Sequence, residues 1–412
     1  MSAPQRPDPP KPPSGQGGRL NVLQVCDHLG WEGSRMHGVK RLFSWMIPRF
    51  DPARYNVALV SLRKKDLSEE TLESMGVDIS YLHKSKFDPA TLTALLKVID
   101  RQRTDILHLH GYGATTFGRI AGWMRGIPTI LHEHANLTDT PWFQKMADKA
   151  LVPATDIAIA VSKSTADFVI GPRQMPAERV KVVYLGVPLE EFSRTRTADE
   201  IAEARQELGA APDELVVGTV TRLHDSKGNS YLVDAARTVL DQRPKTRFYL
   251  YGEGPLRPEL EAQARALNLG DRFVFGGFTR DVARTVSAFD IEVFPSLWEG
   301  TPLTVFEALA MGKPIVATDA DGLVDVLTHE RDALIVPKRD EAALAGAIVR
   351  LIDHPDQRAD LSVRARMTGQ QYGIASFVRK MERLYDILHA VSRQTRRRGV
   401  MQADLSFLAG GA

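Results

Sequence analysis

The sequence predicts two doubly wound α/β domains in series, and three observations carry that prediction. The chain has 412 residues, more than one ordinary core accommodates. Short, almost continuously apolar runs alternate with longer amphipathic segments, the pattern of parallel strands buried on both faces with helices crossing over them. The alternation stops in a charged stretch after residue 188 and then restarts.

Taken in order, the opening MSAPQRPDPPKPPSGQGG (1–18) is Pro/Gly-rich, cannot bury a core and reads as a disordered tail. The first domain spans 19–188. RLNVLQVC reads as strand, with the lone cysteine, Cys26, as a small core residue. HGVKRLFSWMIPRF reads as helix, YNVALVSL as strand, PATLTALLKVIDRQ as helix, DILHLH as strand and ATTFGRIAGWMRG as helix. PTILHEH, DIAIAVS and VKVVYLG are further strands. LEEFSRTRTADEIAEARQELGAAPDE is linker-like with one surface helix and opens the second domain, 189–370. There LVVGTV, RFYLYG, RFVFGG, IEVFPS, PIVATD and ALIVP are strands with helices between them. In the last helix, within 371–392, Phe377, Met381, Leu384, Leu388 and Val391 form one apolar stripe that must pack on another element. Residues 393–412 form a basic tail whose Arg393, Arg396, Arg397 and Arg398 are either solvated or in contact with anionic lipid.

Composition narrows the function classes. The balance of 53 basic and 51 acidic side chains, net +2, argues against a dedicated nucleic-acid binder. A single cysteine excludes an internal disulfide. No uninterrupted apolar run reaches ~18 residues, so no membrane-spanning helix is expected. The opening lacks the apolar core of a signal peptide. A cytoplasmic protein is the expectation, with peripheral membrane contact left open.

Two parallel-sheet domains imply ligands beyond the carboxyl ends of their strands, so the residues after each strand matter most. After LVVGTV, Arg222 and Lys227 stand in a loop, with Gly228 opening a helix: two cations beside free N–H groups make a diphosphate site. After RFYLY come Gly252 and Gly254, which let backbone approach a ligand, although the dinucleotide fingerprint is incomplete. FGGFTRD, with Gly277, can present backbone to a flat base. After IEVFPS, Glu299 lies in a Trp-Glu-Gly-Thr-Pro loop and Glu307 in the first turns of a helix ending at Gly312. Glu307 can bridge the hydroxyls of a ribose and Glu299 those of a sugar. His108, His110, His132 and His134 alternate at strand ends; the spacing His-x-His allows metal binding, but no third ligand is indicated and hydrogen-bonded core histidines are the favoured reading for His108 and His132.

The segments VTRLHDSKGN, YGEGPL and WEGTPLTVFEALAMGKPIVATD resemble the donor domain of the retaining family 4 glycosyltransferases, the glycosyl transferases group 1. SRMHGVKRL, DILHLHGYGA, ILHEH and IAVSKSTADFV extend the resemblance more weakly, over roughly residues 20–390 in all. It implies the GT-B fold: two Rossmann-like domains facing across a cleft, with the C-terminal helix crossing back to the first. It also implies transfer of a sugar from a nucleoside diphosphate sugar, UDP or GDP type, to a hydroxyl of a glycan or lipid-linked acceptor, without cofactor or metal. By the same resemblance, Arg222 and Lys227 would neutralise the diphosphate and Glu307 would hold the ribose. Glu299 would hold the donor sugar, and the loop around Thr301–Leu303, with Pro302 at its centre, would give backbone N–H groups to the sugar or phosphate. Gly38 would lie near the phosphates and His134 near the sugar hydroxymethyl. The chain departs from the family pattern at His37-Gly38, at YLGVPLE in place of the hinge motif, at Thr221 and at Asp321-Gly322. A non-catalytic sugar-nucleotide-binding subunit, or an epimerase or phosphorylase, are the alternatives on the same fold.

Overall fold

The computed structural model describes residues 18–29, 38–64, 72, 76–136, 141–391 and 403–409. Residues 1–17 of the proposed opening tail, His37 and the arginines of the basic tail lie outside them. The chain divides into two compact units: one runs to Tyr184 and resumes at Ala375, the other is Leu185–Ile374.

The first unit is built on seven parallel strands in the order β3-β2-β1-β4-β5-β6-β7. These are β1 (Leu20–Cys26), β2 (Tyr55–Ser61), β3 (Ile79–Tyr81), β4 (Ile106–His110), β5 (Thr129–Glu133), β6 (Ile157–Ala160) and β7 (Val180–Val182). Every residue of β1 and β4 is buried, as strands covered on both faces must be. The sequence reading has no counterpart of β3. Of VKVVYLG only three residues join the sheet, because the chain then leaves for the second unit. Trp45 and Phe43 of the helix Gly38–Met46 are core residues.

The last helix, Ile374–Ala390, belongs to this first unit. Phe377, Met381, Leu384, Tyr385 and Leu388 are buried, and Tyr385 stacks on Phe50. The tail beyond it is not wholly solvated: Leu408 is buried, Lys380 donates to its carbonyl at 3.3 Å, and Arg383 lies over the Phe407 ring.

The second unit has six parallel strands in the order β10-β9-β8-β11-β12-β13. These are β8 (Leu215–Val220), β9 (Thr246–Tyr251), β10 (Phe273–Gly277), β11 (Ile291–Phe294), β12 (Ile315–Thr318) and β13 (Leu334–Val336). Helix Ala198–Leu208 packs beside this unit, closed by a Thr197/Glu200 capping box and by Gly209. In each sheet the strand order reverses at one place, between β1 and β4 and between β8 and β11. Those switch points leave a crevice at the carboxyl edge, where open α/β sheets bind their ligands.

Candidate functional site

The exits of β8, β9 and β11 are stitched together by backbone. Thr221 N–H donates to the Tyr251 carbonyl at 2.9 Å and Leu223 N–H to that of Glu253 at 3.0 Å. A Cβ at Gly252 (φ +137°) would lie 1.7 Å from the Thr221 carbonyl oxygen, and one at Gly254 2.2 Å from that of Leu223. The backbone these glycines admit is therefore the chain's own loop, which corrects the reading of them as an opening for a ligand. The chain then makes one 3₁₀ turn, Asp225–Lys227. Gly228 (φ +58°) ends it, and a Cβ there would sit 2.0 Å from the Pro295 carbonyl oxygen. Only glycine meets both demands, and it seats the turn on the exit of β11. The Ser226 carbonyl accepts from Leu297 N–H at 2.8 Å across the same seam.

This stitching brings Lys227 Nζ onto Glu299 Oε1 as a direct ion pair at the second switch point. Lys227 is 8% exposed and Glu299 9%. Ser296 Oγ donates to the same carboxylate oxygen at 2.7 Å. Burial pulls the Lys227 ammonium below its ordinary pKa, Glu299 opposes that pull, and the guanidinium of Arg222 adds to it. Arg222 is exposed and forms no ion pair among the described residues. The site thus has a compensated, nearly buried cation and an uncompensated, accessible one side by side, which suits a multiply charged anion.

Glu307 is nearly fully buried in the helix Leu303–Met311, whose first turn holds no acid. It stands in the second turn, so a helix-dipole interaction does not account for it. Glu292 of β11 lies close enough to feel its charge: burial first, and Glu307 second, raise the Glu292 pKa well above the ordinary carboxyl range. Lys313 opposes this rise; its ammonium donates to the carbonyls of Ser287 (2.9 Å) and Phe289 (2.7 Å), and burial brings its pKa down to about 8. Sequence reading passed over Glu292, although an acid inside the strand IEVF was the available signal. Thr301 and Leu303 are buried at the mouth of that helix, and Pro302 takes its N-cap position. Gly277 (φ +68°) ends β10 just past a bulge.

Gly38 and His134 belong to the other unit. Gly38 is the exposed first residue of its helix, with open space where a Cβ would go. His134 follows β5 and closes an array of four imidazoles. His108 and His132 face edge to edge, Nε2 to Nδ1 at 3.0 Å; His110 and His134 do the same, Nδ1 to Nε2 at 2.8 Å. The two pairs stack, with centroids 4.5 Å apart along β4 and 4.2 Å apart for His132 and His134. Tyr385 from the last helix reaches His108 Nδ1 at 2.8 Å, and Gln24 of β1 joins Tyr385 (2.9 Å) to His110 (2.8 Å). Burial keeps all four rings neutral: His108 falls to about 3, His134 to about 4, and the other two well below their usual value. His108, His110 and His132 bring ring nitrogens within 4.8 Å of one another, a spacing at which three imidazoles can share a metal ion. However, the 3.0 Å His108–His132 spacing between near-coplanar rings is that of a hydrogen bond. Zinc takes each nitrogen at about 2.0–2.1 Å, so the pair would have to open to hold it.

Two further features were not singled out from sequence. Asp27, at the exit of β1, accepts from the N–H groups of Gly113 (3.0 Å) and Ala114 (2.5 Å), tying down the first switch point. Arg119, Asp148, Arg173 and Glu133 form a buried ion network.

A family model described as Glycosyltransferase Family 4 matches residues 38–191, and one described as Glycosyl transferases group 1 matches residues 214–354. The UDP-Gal:alpha-D-GlcNAc-diphosphoundecaprenol alpha-1,3-galactosyltransferase of Escherichia coli is 26% identical over 276 residues, 65% of this chain and 71% of that protein. The lipopolysaccharide core biosynthesis glycosyltransferase LpsD of Rhizobium meliloti is 37% identical over 171 residues, 42% of this chain and 48% of that protein. The crystal structure of Anabaena HepE in complex with UDP superposes with TM-score 0.77 at 20% identity, covering 89% of this chain and 100% of that one. A second, of the same protein with UDP-glucose, gives 0.75 at 20% identity over 89% and 100%.

Proposed function

This chain belongs to the family 4 glycosyltransferases, the glycosyl transferases group 1, and from that premise we propose how it works. It is a glycosyltransferase of GT-B fold acting on a nucleotide-sugar donor. In the reaction we infer, the bond between the sugar's anomeric carbon and the diphosphate breaks and a bond to an acceptor hydroxyl forms with the same configuration. The hydroxyl proton passes to the departing diphosphate. The observation that carries this reading is the Lys227–Glu299 pair with Arg222 beside it at the second switch point.

Negative charge develops on the leaving phosphate oxygen, and preorganised cations stabilise it without reorganising at the moment of reaction. Lys227 and Arg222 supply that charge. Glu299 holds the ammonium in place and meets the donor sugar hydroxyls, and Glu307 takes the ribose. Thr301, Pro302 and Leu303 line the mouth beneath them, and Gly277 frames the nucleotide.

The donor is a UDP-sugar, a choice supported by the UDP and UDP-glucose complexes of HepE and by the UDP-Gal used by the E. coli relative. That relative's diphosphoundecaprenol acceptor supports a lipid-linked glycan here too, reached by peripheral contact with a membrane. No helix among the described residues is long and apolar enough to cross one. Thermal melting with UDP-, GDP- and ADP-sugars tests the donor. A ligand at a hundred times its Kd adds about 2.7 kcal/mol of stability. A UDP-sugar should raise the melting temperature most; a rise with GDP-sugars alone would overturn the donor assignment.

A further inference from the structure

The helix Trp142–Leu151 is folded inside out. Its buried residues are polar, Gln144 and Asp148, while its large apolar ones face solvent: Trp142 is 73% exposed, Met146 64% and Phe143 44%. A surface helix ordinarily buries its i, i+3, i+4, i+7 stripe. Here that stripe is Trp142, Lys145, Met146 and Lys149, and all four are exposed. The inversion is enforced from beneath. Asp148 is clamped by Arg119 and by Arg173 at 2.9 Å, and Arg173 also pairs with Glu133. Turning the aromatic face inward would put four buried charges out of register.

The exposed face continues onto a neighbouring loop. Phe87, 57% exposed, meets Phe143 edge-on at 6.3 Å, and Phe143 meets Trp142 at 6.1 Å. Lys86 lies over the Phe87 ring. The helix's only acid is the buried Asp148, so its outward charge is wholly positive. Aromatic rings flanked by lysines on one helix face match the interface of a bilayer bearing anionic headgroups, where rings enter the acyl boundary and ammonium groups remain with the phosphates.

We propose that the face formed by Phe87, Trp142, Phe143, Met146, Lys145 and Lys149 docks the protein onto an anionic phospholipid surface. This deepens the peripheral-membrane reading above and rests on it. The test is co-sedimentation of the full chain with phosphatidylcholine vesicles, with and without phosphatidylglycerol. Wild-type protein should sediment with the anionic vesicles and be released by salt. The Trp142→Ser/Phe143→Ser variant should bind at least about tenfold more weakly, since both rings lose their burial in the acyl boundary. Lys145→Glu/Lys149→Glu should lose the preference for anionic lipid. Unchanged melting and UDP-sugar binding in both variants show that the fold and donor site are intact. Equal sedimentation of wild type and variants would overturn this surface while leaving peripheral binding standing. No sedimentation of wild type would overturn both. A wild-type dimer that the serine variant abolishes, without vesicle binding, would make the face a contact between two copies and likewise overturn the proposal.

Discussion

Lys227 can neutralise a diphosphate only while it is an ammonium, and its nearly buried position works against that charge. Glu299 is the partner that sustains it. In a Glu299→Gln variant the lysine pKa, already below its ordinary 10.5, should fall further. Loss of the cationic form is loss of activity, so the alkaline limb of the pH–rate profile should move to lower pH. An unmoved limb would show that Glu299 does not set the charge of Lys227. This pairing could not be read from sequence, where the two residues stand in separate motifs. What was legible was the placement of each motif: Arg222 and Lys227 after one strand, Glu299 and Glu307 after another. Gly252 and Gly254 show the opposite failure. Their need for close backbone approach was visible, but which backbone approaches is decided by how two strand exits fold together.

Elements were legible where their hydrophobic period was strong, as in the fully buried β1 and β4. Ile79–Tyr81 escaped because a three-residue edge strand has no period to display. The helix Trp142–Leu151 is a deeper case: the buried ion network holds its polar Gln144 and Asp148 inward and leaves Trp142, Phe143 and Met146 exposed. Asp148 sits between two guanidinium groups there. Asp148→Asn would leave both buried, with Glu133 on Arg173 as the carboxylate remaining in the network among the described residues, and breaking such a pair costs about 3–5 kcal/mol. Denaturant unfolding should register that loss in the first unit, and a change under about 1 kcal/mol would show the network to be dispensable.

Across the whole molecule, the two units should differ in acid stability. The first holds four imidazoles neutral, with depressed pKa values of about 3 for His108 and about 4 for His134. Below the ordinary histidine value of 6.5 the unfolded chain takes up protons that the fold refuses, so stability rises with pH and is lost as pH falls. Each such group contributes at most about 1.4 kcal/mol per pH unit below that value, and the four act in the same direction. Hydrogen exchange followed from pH 7 to pH 5 should show the first sheet opening before the second; simultaneous opening would contradict this. The central claim concerns the other sheet, whose switch point is assigned to the donor diphosphate. Its most direct test is calorimetric titration of UDP into wild type and Lys227→Ala. The account predicts binding to wild type and affinity at least about tenfold weaker in the variant, a loss on the order of the 1.5–3 kcal/mol of a charged hydrogen bond. Equal affinity in a folded variant would place the diphosphate elsewhere.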